Sequence, residues 1–128
     1  QNVALTAEVS RDHRVILAPN AFSRVLTNLI SNGVKHGGKV GLIVHATSVE
    51  VIDNGPGIPE QQRSQIFQPF FRLDGSRSPV TGGSGLGLAI VDQLCQTHGW
   101  TIKVTDRTPG APSPGAKFTL SFMANTTE

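Results

Sequence analysis

The chain has 128 residues, 38% of them hydrophobic, and a formal net charge of +2. That length suits one domain with an adequate core. The small charge and scattered Lys and Arg argue against a nucleic-acid surface, and a single cysteine, Cys95, excludes a disulfide framework or a CxxC metal pair.

Residues Asn2 to Val9 read as a strand and Arg14 to Leu17 as a short second one, joined by the polar turn "SRDH". From Pro19 to about His36, apolar residues at Phe22, Val25, Leu26, Leu29 and Ile30 trace the buried face of a helix. Pro19 and Asn20 suit its start, and "HGG" at 36–38 ends it. "KVGLIVHA" and "SVEVID" read as a hairpin turning at Thr47 and Ser48. "PEQQRSQIF" suits a short helix with Pro59 in its first turn, before an irregular stretch from about Gln68 to Ser84. Leu86 to His98 is the next helix, with Cys95 in its apolar face, and "WTIKVTD" and "AKFTLSFMA" are closing strands around a Pro and Gly loop at 109–115. Paired strands joined by turns are not the alternation that builds a parallel doubly wound sheet. The expected class is α+β, a two-layer α/β sandwich with a mixed, mostly antiparallel sheet and helices on one face. The longest apolar runs, such as "VGLIV", fall far short of a membrane span, and no leader pattern opens the chain. A domain outside the bilayer, in a reducing compartment, is expected.

Four groups carry chemistry. On the first helix, Asn28, Asn32 and Lys35 fall within roughly 60° of one another beside the apolar face. Their amide oxygens suit a hard cation such as Mg²⁺ and the lysine a phosphate, although a solvated helix face fits the pattern equally. In "VIDNGPGIP", Asp53 ends a strand before two glycines, presenting a carboxylate that can accept from an amino group such as that of adenine. An ordinary Asx turn is the competing account. "IFQPFFRLDGSRS" gathers Phe67, Phe70 and Phe71 ahead of Arg72 and Arg77, either as the base of a lid whose arginines approach an anion or as core residues under a solvated loop. "TGGSGLGLAI" places Gly82, Gly83, Gly85 and Gly87 at a helix entrance, where exposed N–H groups collect phosphate. It is neither a Rossmann fingerprint, since no strand precedes it, nor a P-loop.

Taken in this order, "NLISNGVKH", "DNGPGIP", "IFQPFFR" and "GGSGLGL" resemble the N, G1, F and G2 boxes of the catalytic ATP-binding domain of bacterial two-component sensor histidine kinases. The resemblance covers nearly the whole chain, residues 1–128 as one domain, and implies the Bergerat, or GHKL, fold with ATP between the helices and a lid. It makes Asn32 the principal Mg²⁺ ligand with Asn28 close to metal and phosphates, Lys35 a phosphate contact, and His36 the residue beside the nucleotide. Asp53 takes the adenine amine, with Gly55, Gly57 and Ile58 around the base. Arg72 and Arg77 meet the terminal phosphate. Backbone amides around Gly83, Gly85 and Gly87 cradle the phosphates, and Leu86 and Leu88 fix the second helix on the sheet. Gly33 stands where alanine is commoner, a choice that costs the helix roughly 1 kcal/mol and is expected to leave the chemistry untouched. Trp100, in "HGW", is expected to pack at the entry to the following strand.

The same resemblance implies γ-phosphate transfer to a histidine rather than hydrolysis. Related ATPases carry a water-activating glutamate where this chain has Asn28, and an amide has no basic lone pair at neutral pH. None of the four histidines, His13, His36, His45 and His98, sits in a phosphoacceptor pattern. The expected partners are therefore a separate dimerisation and histidine phosphotransfer domain of the same kinase and a response regulator, with this domain itself monomeric, cytoplasmic and cut from a larger, membrane-anchored kinase. A serine-directed kinase of the same fold and a non-enzymatic nucleotide-binding module are the alternative readings.

Overall fold

The computed structural model describes residues 4–9, 19–71 and 86–122. The expected strand from Arg14 to Leu17 lies outside them, as do His13 and most of the irregular stretch. Five strands, β1 (Ala4–Val9), β2 (Lys39–Val44), β3 (Ser48–Asp53), β4 (Thr101–Asp106) and β5 (Ala116–Ser121), form one sheet in the order β1-β2-β3-β5-β4. β1 pairs with β2 in parallel, and every other pairing is antiparallel. The sheet is thus mixed and mostly antiparallel. Helices α1 (Pro19–Gly37) and α2 (Gly87–His98) lie against each other and against its core-facing side.

Strand alternation decides which face is buried. In β3, Val49, Val51 and Asp53 point inward, and in β5 Ala116, Phe118 and Leu120 do so. The register aligns Val51 with Phe118 and Phe118 with Val104, so a continuous apolar row crosses three strands. On the outer face Glu50 stands 3.5 Å from His45 and 3.9 Å from Lys117, a polar surface that needs no second layer of helices.

The seam of α1 runs through Ala21, Val25 and Leu29, all buried at a spacing of four, while Phe22, Leu26 and Ile30 pack from its flank. Leu29 and Val25 were legible from the hydrophobic period; Ala21 was not, because its single methyl adds little to such a pattern. α2 contributes Val91 and Cys95, and its end is set by Gly99 in the left-handed region (φ 73°), with the Trp100 N–H donating to the Cys95 carbonyl at 2.9 Å. Trp100 then packs edge-on to Phe22 and Phe122, with His98 stacked on its outer face. The tryptophan closes the far end of the core, at the entry to β4.

Two local expectations shift. The hairpin turn comprises residues 45–47, because the His45 N–H donates to the Ser48 carbonyl and draws Ser48 into β3. After Pro59 the chain forms a 3₁₀ turn, Glu60–Gln62, and then successive turns rather than a helix. Its N–H groups mostly reach back three residues, and only Ile66 makes an α-type bond, to Gln62 at 3.1 Å. Those turns bury Ile66 and bring Phe67 edge-on to Phe118.

Burial, reinforced by Asp92, pushes the Cys95 thiol up to about 11. At pH 8 the thiolate fraction is then about one part in a thousand. A disulfide-exchange reagent should leave native protein unmodified over the time that denatured protein reacts completely; rapid native labelling would place Cys95 outside the core.

Candidate functional site

The site is organised by Asp53, the last residue of β3. Alternation carries its side chain to the core-facing side, where it is 4% exposed and the one buried charged residue among those described. Oδ1 accepts the N–H of Gly55 at 2.8 Å and that of Ala116 at 3.3 Å. The first closes an Asx-type turn, as the local sequence allows, but the second comes from β5 and makes the carboxylate part of the sheet. Oδ2 points the other way, toward α1: a Cβ placed on Gly33 would lie 3.8 Å from it. One oxygen is held by backbone, and the other faces the helix.

The turn that follows is pressed between two neighbours. A Cβ on Gly55 would stand 2.6 Å from the His36 carbonyl oxygen, so the turn packs on the end of α1. On the other side the β4–β5 loop clamps it. Ser113 Oγ donates to the Gly55 carbonyl at 3.1 Å, Arg107 donates to Asn54 Oδ1, and Pro114 and Gly115 close over Gly57. Arg63 adds a third tie. Its Nε donates to the Ile58 carbonyl at 3.0 Å and its Nη2 to Asp106 Oδ1 at 2.8 Å, while Ile58 itself is buried in the core. None of Arg63, Asp106, Asn54, Arg107, Ser113 and Gly115 stands out in sequence. The one available signal was the Pro and Gly density of "RTPGAPSPGA", which marks a shaped loop without saying what it touches.

Above the carboxylate, α1 brings Asn28, Asn32 and Lys35 along one side, with Asn28 and Asn32 half-buried and Lys35 exposed. Asn28 Nδ2 donates to the carbonyl of Gly87, the first residue of α2, at 3.3 Å. That bond ties the polar seam of α1 to the helix entrance, and it leaves Oδ1 of Asn28 as the atom to ligate a cation. Among the described residues, no atom stands within 4 Å of where a Cβ on Gly87 would point, so the entrance is open at that point. Leu86 precedes it, half-buried, and Leu88 packs on the core. His36 lies in the last turn of α1. Partial desolvation lowers its pKa from the ordinary histidine value, while Asp53 opposes the shift and Lys35 assists it.

The structure therefore brings Asp53 and Gly55 against the C-terminal half of α1, which carries Asn28, Asn32, Lys35 and His36, and joins Asn28 to Gly87, which Leu86 precedes; Gly57 and Ile58 follow on the turn, Gly57 against Pro114 and Gly115. Arg72, Arg77, Gly83 and Gly85 lie outside the described residues. Of the three phenylalanines before them, Phe67 and Phe71 pack on the core, whereas Phe70 is 68% exposed with a left-handed φ of 66°. Gly33 departs from expectation. It is buried against Val40 and Asp53, so it belongs to the surroundings of the site and not merely to the helix.

A family model for histidine kinase-, DNA gyrase B- and HSP90-like ATPases matches residues 18–126. The chain is 45% identical over 101 residues to the signal transduction histidine-protein kinase/phosphatase MprB of Mycolicibacterium vanbaalenii, an alignment covering 72% of this chain and 20% of that protein. It is 38% identical over 122 residues to the histidine-protein kinase AfsQ2 of Streptomyces coelicolor, covering 91% and 22%. A solved structure of a mycobacterial sensor histidine kinase MprB superposes with a TM-score of 0.80 at 32% identity, covering 94% of this chain and 82% of that one. The mixed sheet and its paired helices are thus those of this ATPase family. The chain belongs to the family of histidine kinase-, DNA gyrase B- and HSP90-like ATPases, and its likeness within that family is to the catalytic part of histidine kinases. It spans about a fifth of the length of the curated relatives it matches. No helix among the described residues is long and apolar enough to cross a membrane.

Gly115 has a φ of 73°, and a Cβ there would run into the Asp53 carbonyl oxygen. Gly115→Ala should therefore cost about 1–3 kcal/mol of stability and weaken ATP binding, because it displaces the clamp under Asp53. Urea unfolding and ATP titration of the same variant check both effects; wild-type values in each would show that the clamp is not structural.

Proposed function

We propose that this chain is the catalytic domain of a larger histidine kinase, and that it holds Mg-ATP for transfer of the γ-phosphate to a histidine on a separate dimerisation domain, from which a response-regulator aspartate receives it. The observation that carries this reading is Asp53: a buried carboxylate with Oδ1 engaged by two backbone N–H groups and Oδ2 directed to the space beside α1. An acceptor so placed recognises a donor such as the adenine amine. Gly55 and Gly57 let the turn after Asp53 pack against the His36 carbonyl and against Pro114 and Gly115, which fixes the end of β3 that carries the acceptor.

Asn32 and Asn28 would hold the Mg²⁺. Amide oxygens are hard donors, and Asn28 is already oriented by the bond from its nitrogen to Gly87. An ion held through so few protein ligands would complete its shell with the nucleotide's own phosphates and water. When bound, Mg²⁺ neutralises charge on the transferring phosphoryl group. Lys35 adds a positive charge on the same side of α1, and the α2 entrance at Gly87, with Gly83 and Gly85 before it, offers backbone N–H groups to phosphate oxygens. Arg72 and Arg77 are the proposed lid contacts to the terminal phosphate.

Phosphoryl transfer asks mainly for positioning and charge neutralisation, which these groups supply. Hydrolysis asks for a base near the γ-phosphate. Asn28 is an amide whose nitrogen is committed to Gly87, so water is poorly activated there. The proposed partners are accordingly the dimerisation and phosphotransfer domain and a response regulator, with this domain monomeric by itself and the parent kinase anchored at a membrane.

Asp53→Asn should weaken ATP binding by about tenfold to a hundredfold, since an amide in its place no longer offers a charged acceptor. Calorimetric titration measures this, and unchanged affinity would remove Asp53 from the base site. For the reaction, wild-type chain, γ-labelled ATP and a histidine-bearing dimerisation domain are incubated together. Acid-labile, base-stable label on that domain is expected; tight ATP binding without it would defeat the kinase reading.

A further inference from the structure

Helix α1 lies close upon the sheet at Gly33, which prolongs the buried line of Ala21, Val25 and Leu29 by one more turn. A Cβ there would stand 2.8 Å from Val40 Cγ2, 3.5 Å from Asp53 Cβ and 3.8 Å from Asp53 Oδ2. The first distance is far inside contact. Val40 cannot simply yield, because it is β-branched, 2% exposed and the direct cross-strand partner of Asp53. In a close-packed interior, a displacement of Val40 is passed to the side chain beside it. Asp53 in turn has one oxygen tied to Gly55 and Ala116, so a push from this side is taken up by Oδ2, the oxygen left for ligand.

We propose that Gly33 determines base selectivity: its bare Cα lets α1 descend onto Val40 and holds Asp53 Oδ2 where a purine 6-amino group meets it. The inference rests on the assignment of Asp53 as the acceptor for that amine. Gly33 is a positioning residue, acting through Val40 and Asp53. An alanine at this place does not fit beneath α1 while Val40 keeps its position. What a glycine loses in helix propensity is here exchanged for a defined height of the helix above the carboxylate.

The test compares ATP with inosine triphosphate, whose 6-oxo group accepts rather than donates, by calorimetry in Mg²⁺ on the 128-residue chain. Gly33→Ala should bind ATP about tenfold or more weakly while inosine triphosphate binding changes by less than about threefold. Adding Val40→Ala to that variant should restore ATP affinity and the preference for ATP, because it reopens the gap that the new methyl fills. Val40→Ile, which enlarges the strand side of the same contact, should likewise weaken ATP more than inosine triphosphate and carries the test should Gly33→Ala not fold. Parallel loss of both nucleotides, or failure of Val40→Ala to rescue, overturns the proposal. So does an ATP affinity in Gly33→Ala within about twofold of wild type. A wild-type chain that does not prefer ATP refutes the Asp53 assignment itself; a preference abolished by Asp53→Asn but kept by Gly33→Ala refutes only the role of Gly33.

Discussion

A carboxylate buried beside an apolar core is costly unless its lone pairs are met, and the site is built around meeting one half of that demand at Asp53. Two backbone N–H groups, one from the following turn and one from the neighbouring strand, satisfy Oδ1. Much of what surrounds the aspartate serves that arrangement. Gly115 lets β5 begin close enough for Ala116 to donate. The β4–β5 loop grips the turn through Ser113 and Arg107, and the Arg63–Asp106 pair braces the segment beyond Ile58. For Oδ2, on the Gly33 side, the proposed function supplies a donor on the nucleotide.

A single helix, α1, runs from the surroundings of Asp53 to the entrance of α2. The buried stripe of α1 fixes its height on the sheet, and the polar seam beside that stripe inherits the same placement. Asn28 then extends the connection to α2 through its bond to the Gly87 carbonyl. Two helices and a strand end are thus tied into one frame. Differential stabilisation in such a frame comes from fixed dipoles and charges rather than from a reacting side chain, which suits phosphoryl transfer to an acceptor brought from elsewhere.

The braces on the turn illustrate a limit of sequence reading. Arg63 and Asp106 are separated by 43 residues and meet only because β4 lies at the edge of the sheet next to β5. Nothing in either local sequence distinguishes them from solvated surface charges. Gly33 is a related case. In the helix it reads as a small loss of propensity, and its consequence appears only when Val40 and Asp53, paired across two strands, are brought beneath it.

The α+β class, the long amphipathic helix, the hairpin, the second helix and the closing strands followed from hydrophobic period and turn residues, because these are local properties of the chain. So did the candidate site groups Asn28, Asn32, Lys35 and Asp53, whose spacing on a helix or at a strand end is itself a local fact. The turns after Pro59 were misread as a helix, since their character depends on Ile66 and Phe67 being drawn to the core formed by distant strands. Likewise, the strand order, the parallel edge pairing, the division of labour between the two oxygens of Asp53 and the closeness of Gly33 were decided by tertiary structure. Each is a contact between residues far apart in sequence, and the chain specifies it only by packing every element at once.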